Sequence, residues 1–196
     1  MRRREFITLL SGAAASILPF TVRADGILDL LRVPGHVALM RHALAPLDGA
    51  PRDGDRVEPD LGPCETQRNL DDVGRSEARR IGEVFRRESI VFEHAYTSAW
   101  CRCRETAELV IGRPVEYLPS LDSYFTSSTK ATRRPLQLAA LKTFLNETLK
   151  PTDRVLMVTH GSLISDLTSI ETGETEIVIV KADGKAGISV VGHGVL

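Results

Sequence analysis

The chain has 196 residues, 42% of them hydrophobic, with 25 basic and 26 acidic side chains and a formal net charge of −1. That length suits one domain with a substantial core. The near-neutral charge gives no reason to expect nucleic acid or an anionic membrane as partner.

Residues 1–24 are expected to be an export signal rather than part of the fold. Arg2, Arg3 and Arg4 make a basic start, and residues 7–18 form an apolar and small run shorter than the roughly 20 residues that span a bilayer. Val22-Arg23-Ala24 offers small residues where a signal peptidase reads, so cleavage is expected before Asp25. Arg3-Arg4-Glu5-Phe6-Ile7 resembles a twin-arginine export signal; the alternative is an ordinary secretory signal with a chance arginine pair. No cysteine stands at the cleavage point, so no stable membrane anchor is expected and the mature chain is placed in the periplasm or outside the cell. Removal of Arg2, Arg3, Arg4, Arg23 and Glu5 leaves residues 25–196 with an acidic excess of about four. No internal repeat or low-complexity segment is present.

Residues 36–43, HVALMRHA, read as a buried strand at residues 37–40 that stops on Arg41 and His42, a permanent cation beside a titratable nucleophile. Residues 45–63 are rich in Pro, Gly and Asp without a hydrophobic period; they form either a cover for the site or a solvated surface loop. Asp71 is a good N-cap, and Ala78, Ile81, Val84 and Phe85 recur at helical spacing to about Arg87. Arg68 and Asn69, just before that cap, lie on a loop and either face the site or serve local capping. A short strand is predicted over residues 94–97 and a helix over residues 102–110, with Ala107, Val110 and Ile111 inward. Arg102 and Arg104, two apart, point to different sides of that helix, so only one can share a pocket with Arg41.

Residues 115–118 read as a strand, residues 119–132 as a polar loop, and residues 136–149 as a helix carrying Leu138, Leu141, Leu145 and Leu149. A second apolar strand, residues 154–159, stops on His160-Gly161. A short helix over residues 163–169 and a closing hairpin, residues 177–180 with 188–191 around Asp183-Gly184, complete the chain. Strands alternating with helices predict an α/β three-layer sandwich, a mainly parallel sheet covered on both faces. Two parallel strands ending in histidine then bring both imidazoles to one sheet edge, where such folds keep their sites.

Four blocks carry a resemblance. Arg41-His42-Ala43 resembles the R-H-G signature of the histidine phosphatase (phosphoglycerate mutase-like) superfamily. Residues 98–107, SAWCRCRETA, are similar to its S-x-x-x-R-x-x-x-T-A block. Leu70-Asp71-Asp72-Val73-Gly74 with Ala78 resembles its L-T-x-x-G helix start, and Val158-Thr159-His160-Gly161 its second histidine motif. The blocks stand in the family's order across residues 36–161. The resemblance implies a phosphomonoester phosphatase with His42 as nucleophile, Arg41 and Arg102 on the phosphoryl oxygens, His160 as a further donor and Arg68 as a substrate-binding candidate. It implies a small phosphorylated substrate, no cofactor and no metal. The residues after R-H-G in the mutases are replaced by LAPLDGAP, so a phosphatase rather than a mutase is expected.

The chemistry is coherent. A phosphomonoester dianion repels anionic nucleophiles, which favours neutral imidazole. One ring nitrogen of His42 attacks phosphorus while the other donates to a backbone carbonyl and fixes the tautomer. Arginine forks match phosphoryl oxygens. The family commonly places a general acid some twenty residues after the second-block arginine, which points to Asp122, although Asp122 also reads as a turn aspartate capping its own backbone. Glu105 and Asp166 are outside alternatives. Cys64, Cys101 and Cys103 form an odd set in an oxidising compartment. Either Cys64 pairs with Cys101 or Cys103, tying the loop before Asp71 to the arginine block, or all three are reduced. Tyr124 and Phe125 either shape a substrate pocket or pack in the core. The competing functions are a degenerate module that binds phosphorylated ligands without turnover and a thiol-disulfide protein built on Cys101-x-Cys103.

Overall fold

The computed structural model describes residues 21–47, 61–125, 127–184 and 187–196. Six strands form one mixed sheet in the order β3-β2-β4-β1-β5-β6. They are β1 (His36–Arg41), β2 (His94–Thr97), β3 (Glu116–Tyr117), β4 (Val155–Thr159), β5 (Ile177–Ala182) and β6 (Ile188–Gly194). The first four in that order run parallel, and β5 and β6 close the other edge as an antiparallel hairpin. The predicted α/β layering and the closing hairpin are both present.

The sheet is covered on both faces because its central strands are apolar on both. Ala38, Met40, Leu156, Val158, Ile177 and Ile179 face one layer, built from α1 (Ala24–Leu31), α2 (Asp72–Arg87) and α3 (Cys101–Ile111). Val37, Leu39, Val155, Met157, Val178 and Val180 face the other, built from α4 (Lys130–Thr143) and α5 (Gly161–Thr168). Alternate residues go to opposite faces, as the period of two requires.

The α2 helix starts as its sequence predicts: the Asp71 carboxylate accepts the Gly74 N–H at 2.7 Å. Gly74 is there for contact, since a Cβ on it would stand 2.1 Å from the Leu44 carbonyl oxygen. The first turn of α2 therefore lies against the chain just after His42.

Three elements differ from expectation. Ala24–Leu31 forms a helix that buries Ile27, Leu28 and Leu31; no helix was predicted there. Of the expected leader, residues 1–20 lie outside the described residues, while Thr21 bridges to His193 and the Val22 N–H donates to the His193 carbonyl at 2.8 Å. The helix expected from residue 136 starts at Lys130 instead, with Pro135 inside it. Pro135, the sixth residue of the helix, has no N–H to offer the Ala131 carbonyl, while the Thr129 carbonyl closes the first turn by accepting from Thr132 and Arg133 at 3.0 Å each. The strand expected over residues 115–118 shrinks to Glu116–Tyr117, exposed at the sheet edge. No helix among the described residues is long and apolar enough to cross a membrane.

Candidate active site

Neighbouring parallel strands β1 and β4 place the two histidines. Arg41 is paired with Thr159 in the ladder, and one residue later each strand leaves the sheet with a histidine. The His42 N–H continues the ladder to the Thr159 carbonyl at 3.0 Å. The two imidazoles face each other edge to face with centroids 5.6 Å apart.

Both rings are buried, His42 at 2% exposure and His160 at 4%. His42 Nδ1 lies 2.8 Å from the Ala43 carbonyl oxygen. A carbonyl only accepts, so Nδ1 carries the hydrogen and Nε2 keeps its lone pair. Burial holds the His42 pKa well below its ordinary value, and the Arg102, Arg68 and Arg41 charges add to that against the opposing Ala43 bond. His160 is lowered for the same reasons, burial first, then Arg102 and His42. Ser98 Oγ meets His160 Nε2 at 2.9 Å, and the Trp100 ring packs against its edge at 5.2 Å.

Arg102, the second residue of α3, is 5% exposed, and its Nη1 donates to the Arg68 carbonyl at 3.2 Å. Arg68 Nη1 in turn donates to the Ala45 carbonyl. Arg41, His42, Arg68, Arg102 and His160 line one cavity of about 480 Å³. Leu47, Phe125 and Lys130 line it too, and Phe125, 63% exposed with the Lys130 ammonium 4.6 Å from its ring, belongs to the open side. Most of the loop expected to cover the site, residues 48–60, lies outside the described residues. Arg104 points away, toward Cys64 Sγ at 3.3 Å, as the two-residue offset requires.

Asp122, the general-acid candidate, lies beside the segment that carries Ser98 and the start of α3. It is buried but does not line the cavity. One oxygen accepts the Ala99 N–H at 2.8 Å and the other the Tyr117 hydroxyl at 2.6 Å, while burial raises its pKa. The 3₁₀ turn Pro119–Leu121 rotates Asp122 toward the turn that starts α3 and leaves Ser123 and Phe125 at the cavity. Its local role is to brace the segment carrying Ser98 and Arg102. Of the alternatives, Glu105 pairs with Arg75 at 2.7 Å away from this cavity, whereas Asp166 does line it, accepting from Tyr124 at 2.5 Å and from Arg134. Tyr124 is a core residue, fully buried.

Cys64 is disulfide-bonded to Cys101, the first residue of α3. Cys103 is a free, fully buried thiol whose pKa burial pushes up to about 12, and Cys101 is bonded to Cys64 and not to Cys103. The bridge spans 37 residues. Chain entropy then gives about 3 to 4 kcal/mol of stabilisation, and Cys64→Ser/Cys101→Ser is expected to lower unfolding free energy by that amount in urea titrations.

The lowered histidines also fix a pH dependence. Unfolded histidine titrates near 6.5, so between the depressed folded pKa values and that point the unfolded chain binds more protons. Stability is complete above about pH 6.5 and falls as pH drops below it. Because His42 stays neutral in that window, the acid limb of kcat/KM is expected below pH 6.5, and a limb at or above it would contradict the burial of His42.

Sequence reasoning assigned no role to Ser98, Thr172 or Glu174. Ser98 stood in the quoted S-x-x-x-R block, which is the signal that marks it. Thr172 and Glu174, which hold Arg41, sit in a stretch with no motif.

The family model described as histidine phosphatase superfamily (branch 1) matches residues 37–127. No curated protein matches significantly. Among solved structures, the fold is similar to a protein histidine phosphatase SixA complexed with tungstate, at 23% identity and TM-score 0.54, covering 81% of this chain and 95% of that one. It is also similar to an Entamoeba histolytica phosphoserine phosphatase in complex with 3-phosphoglyceric acid, at 15% identity and TM-score 0.59, covering 82% and 97%. The segment matched by the family model carries His42 and Arg102, and the likeness to these solved structures is one of fold.

Proposed function

We propose that the protein is an exported phosphatase that hydrolyses a small phosphomonoester through a phosphohistidine on His42, without a metal ion. The observation that carries this reading is the state of His42: neutral, buried, with Nδ1–H on the Ala43 carbonyl and its ring in a cavity shared with three arginines. Nε2 attacks phosphorus, the phosphorus–oxygen bond to the leaving group breaks, and the departing oxygen takes its proton from water. Water then cleaves the phosphorus–nitrogen bond, releasing phosphate and restoring the imidazole. Arg41, Arg68 and Arg102 offset the phosphoryl charge, the service a divalent cation gives in other phosphatases. His160, coupled to Ser98, adds a polar contact at the same oxygens. The basic start and apolar run of residues 1–24 support export.

The test uses protein recovered from the exported fraction, whose N-terminus is expected at Asp25. Turnover of p-nitrophenyl phosphate in excess chelator, with an acid-labile, alkali-stable phosphoenzyme trapped during turnover, is the expected result. An aryl leaving group hardly needs an acid. A folded protein that binds phosphate yet turns over nothing would favour the ligand-binding module, and loss of activity with chelator would remove the metal-free mechanism. Phosphoserine and phosphohistidine, named for proteins of similar fold, are the first substrates to screen.

A further inference from the structure

Arg41 is gripped at the cavity wall by the turn between α5 and β5, whose Thr172 lines the cavity while Glu174 does not. The Thr172 carbonyl accepts from Arg41 Nη1 at 2.6 Å, and Glu174 Oε1 accepts from Nη2 at 2.7 Å. On another side stands Gly161, where a Cβ would meet Arg41 Cδ at 3.2 Å and Nε at 3.4 Å. The turn is itself fastened to the reaction centre. The Thr175 N–H donates to the His42 carbonyl at 3.5 Å, and the Arg41 N–H to the Glu176 carbonyl at 3.1 Å. Glu176 also accepts the Gly173 N–H at 2.9 Å through one carboxylate oxygen and faces His193 Nδ1 at 2.8 Å with the other.

A guanidinium has five N–H groups in a fixed plane. Two contacts on one turn, made by different Nη atoms, set both the position and the tilt of that plane, and the remaining N–H groups are left for a ligand. On charge alone, a carboxylate beside an anion site weakens it. What Glu174 supplies is direction.

We propose that Glu174 is a positioning residue for phosphoryl transfer, acting through Arg41 to aim its guanidinium at the phosphoryl oxygens. This rests on the phosphatase reading above and adds a residue to it. The test is a double-mutant cycle of wild type, Glu174→Ala, Arg41→Ala and the double variant, scored by kcat and KM on p-nitrophenyl phosphate and by calorimetric Kd for inorganic phosphate. A misplaced group costs up to about 100-fold. Glu174→Ala is therefore expected to lower kcat/KM by about 10- to 100-fold with Arg41 present, to weaken phosphate binding, and to change neither by more than about threefold when Arg41 is already alanine. Glu174→Gln keeps an acceptor oxygen and is expected to recover most of the loss. Equal losses in both backgrounds, or tighter phosphate binding with kcat unchanged, would overturn the proposal. If Arg41→Ala does not fold, Arg41→Lys, which lacks the fork, takes its place. If the wild type hydrolyses nothing, the phosphatase reading fails alone, because the phosphate-binding cycle still decides the role of Glu174.

Discussion

His42→Ala is expected to lower turnover of an aryl phosphate by about 10⁴-fold or more, leaving no phosphoenzyme to trap. The magnitude follows from the role: without Nε2 no phosphorus–nitrogen bond forms, and water is left to attack a dianion unaided. The three arginines remain, so inorganic phosphate should still bind. His42→Asn is the better-behaved companion, because an amide N–H can replace the Nδ1–H bond to the Ala43 carbonyl while offering no nucleophile. Its melting temperature should stay near wild type with activity equally lost. Retained turnover in a folded His42→Asn protein would end the phosphohistidine mechanism and return attention to His160 as the attacking ring.

Arg102→Ala is expected to cost about 10²- to 10³-fold in kcat, the range seen when a preorganised donor to a developing anion is removed. Two features set Arg102 apart from the other arginines. It is nearly fully buried, so its charge acts through little water, and it is the largest charged contributor lowering both histidines. Its removal should therefore do more than weaken phosphate binding. The His42 pKa rises toward its ordinary value, so the acid limb of kcat/KM should move to higher pH. Arg102→Lys restores charge but not the planar fork and is expected to recover the pH limb better than kcat. An unchanged pH limb in Arg102→Ala would show that burial alone keeps His42 neutral.

How much of this was written plainly in the chain depends on the kind of interaction. Strands 36–41 and 155–159 were legible because they are apolar on both faces and each stops on a histidine, a pattern that survives without knowledge of neighbours. Asp71 was legible because its cap bond reaches only three residues on. The alternative placements of Arg68 and of Cys64 resolve only when α2 and α3 pack, since neither contact is local. The orientation of Asp122 was hidden for the same reason: its spacing from Arg102 is a property of sequence, whereas its direction is set by a single 3₁₀ turn. The helix Ala24–Leu31 was hidden because it begins at the expected cleavage point and its eight residues carry too short an apolar period to stand out. Glu174 left no trace, being a glutamate among glutamates until Arg41 lies beside it.

The position of the two histidines has one more consequence. Their separation is set by main-chain bonds between β1 and β4, the most deeply buried pair of strands, and not by the side chains that line the open part of the cavity. Leu47, Phe125 and Lys130, which line the cavity, are all on segments outside the sheet and take no part in that ladder. In the proposed reaction, the histidine geometry and the open wall of the cavity are thus encoded in separate parts of the chain. Exchange of residues in those segments should redirect the enzyme among phosphorylated compounds while its reaction chemistry stays as it is.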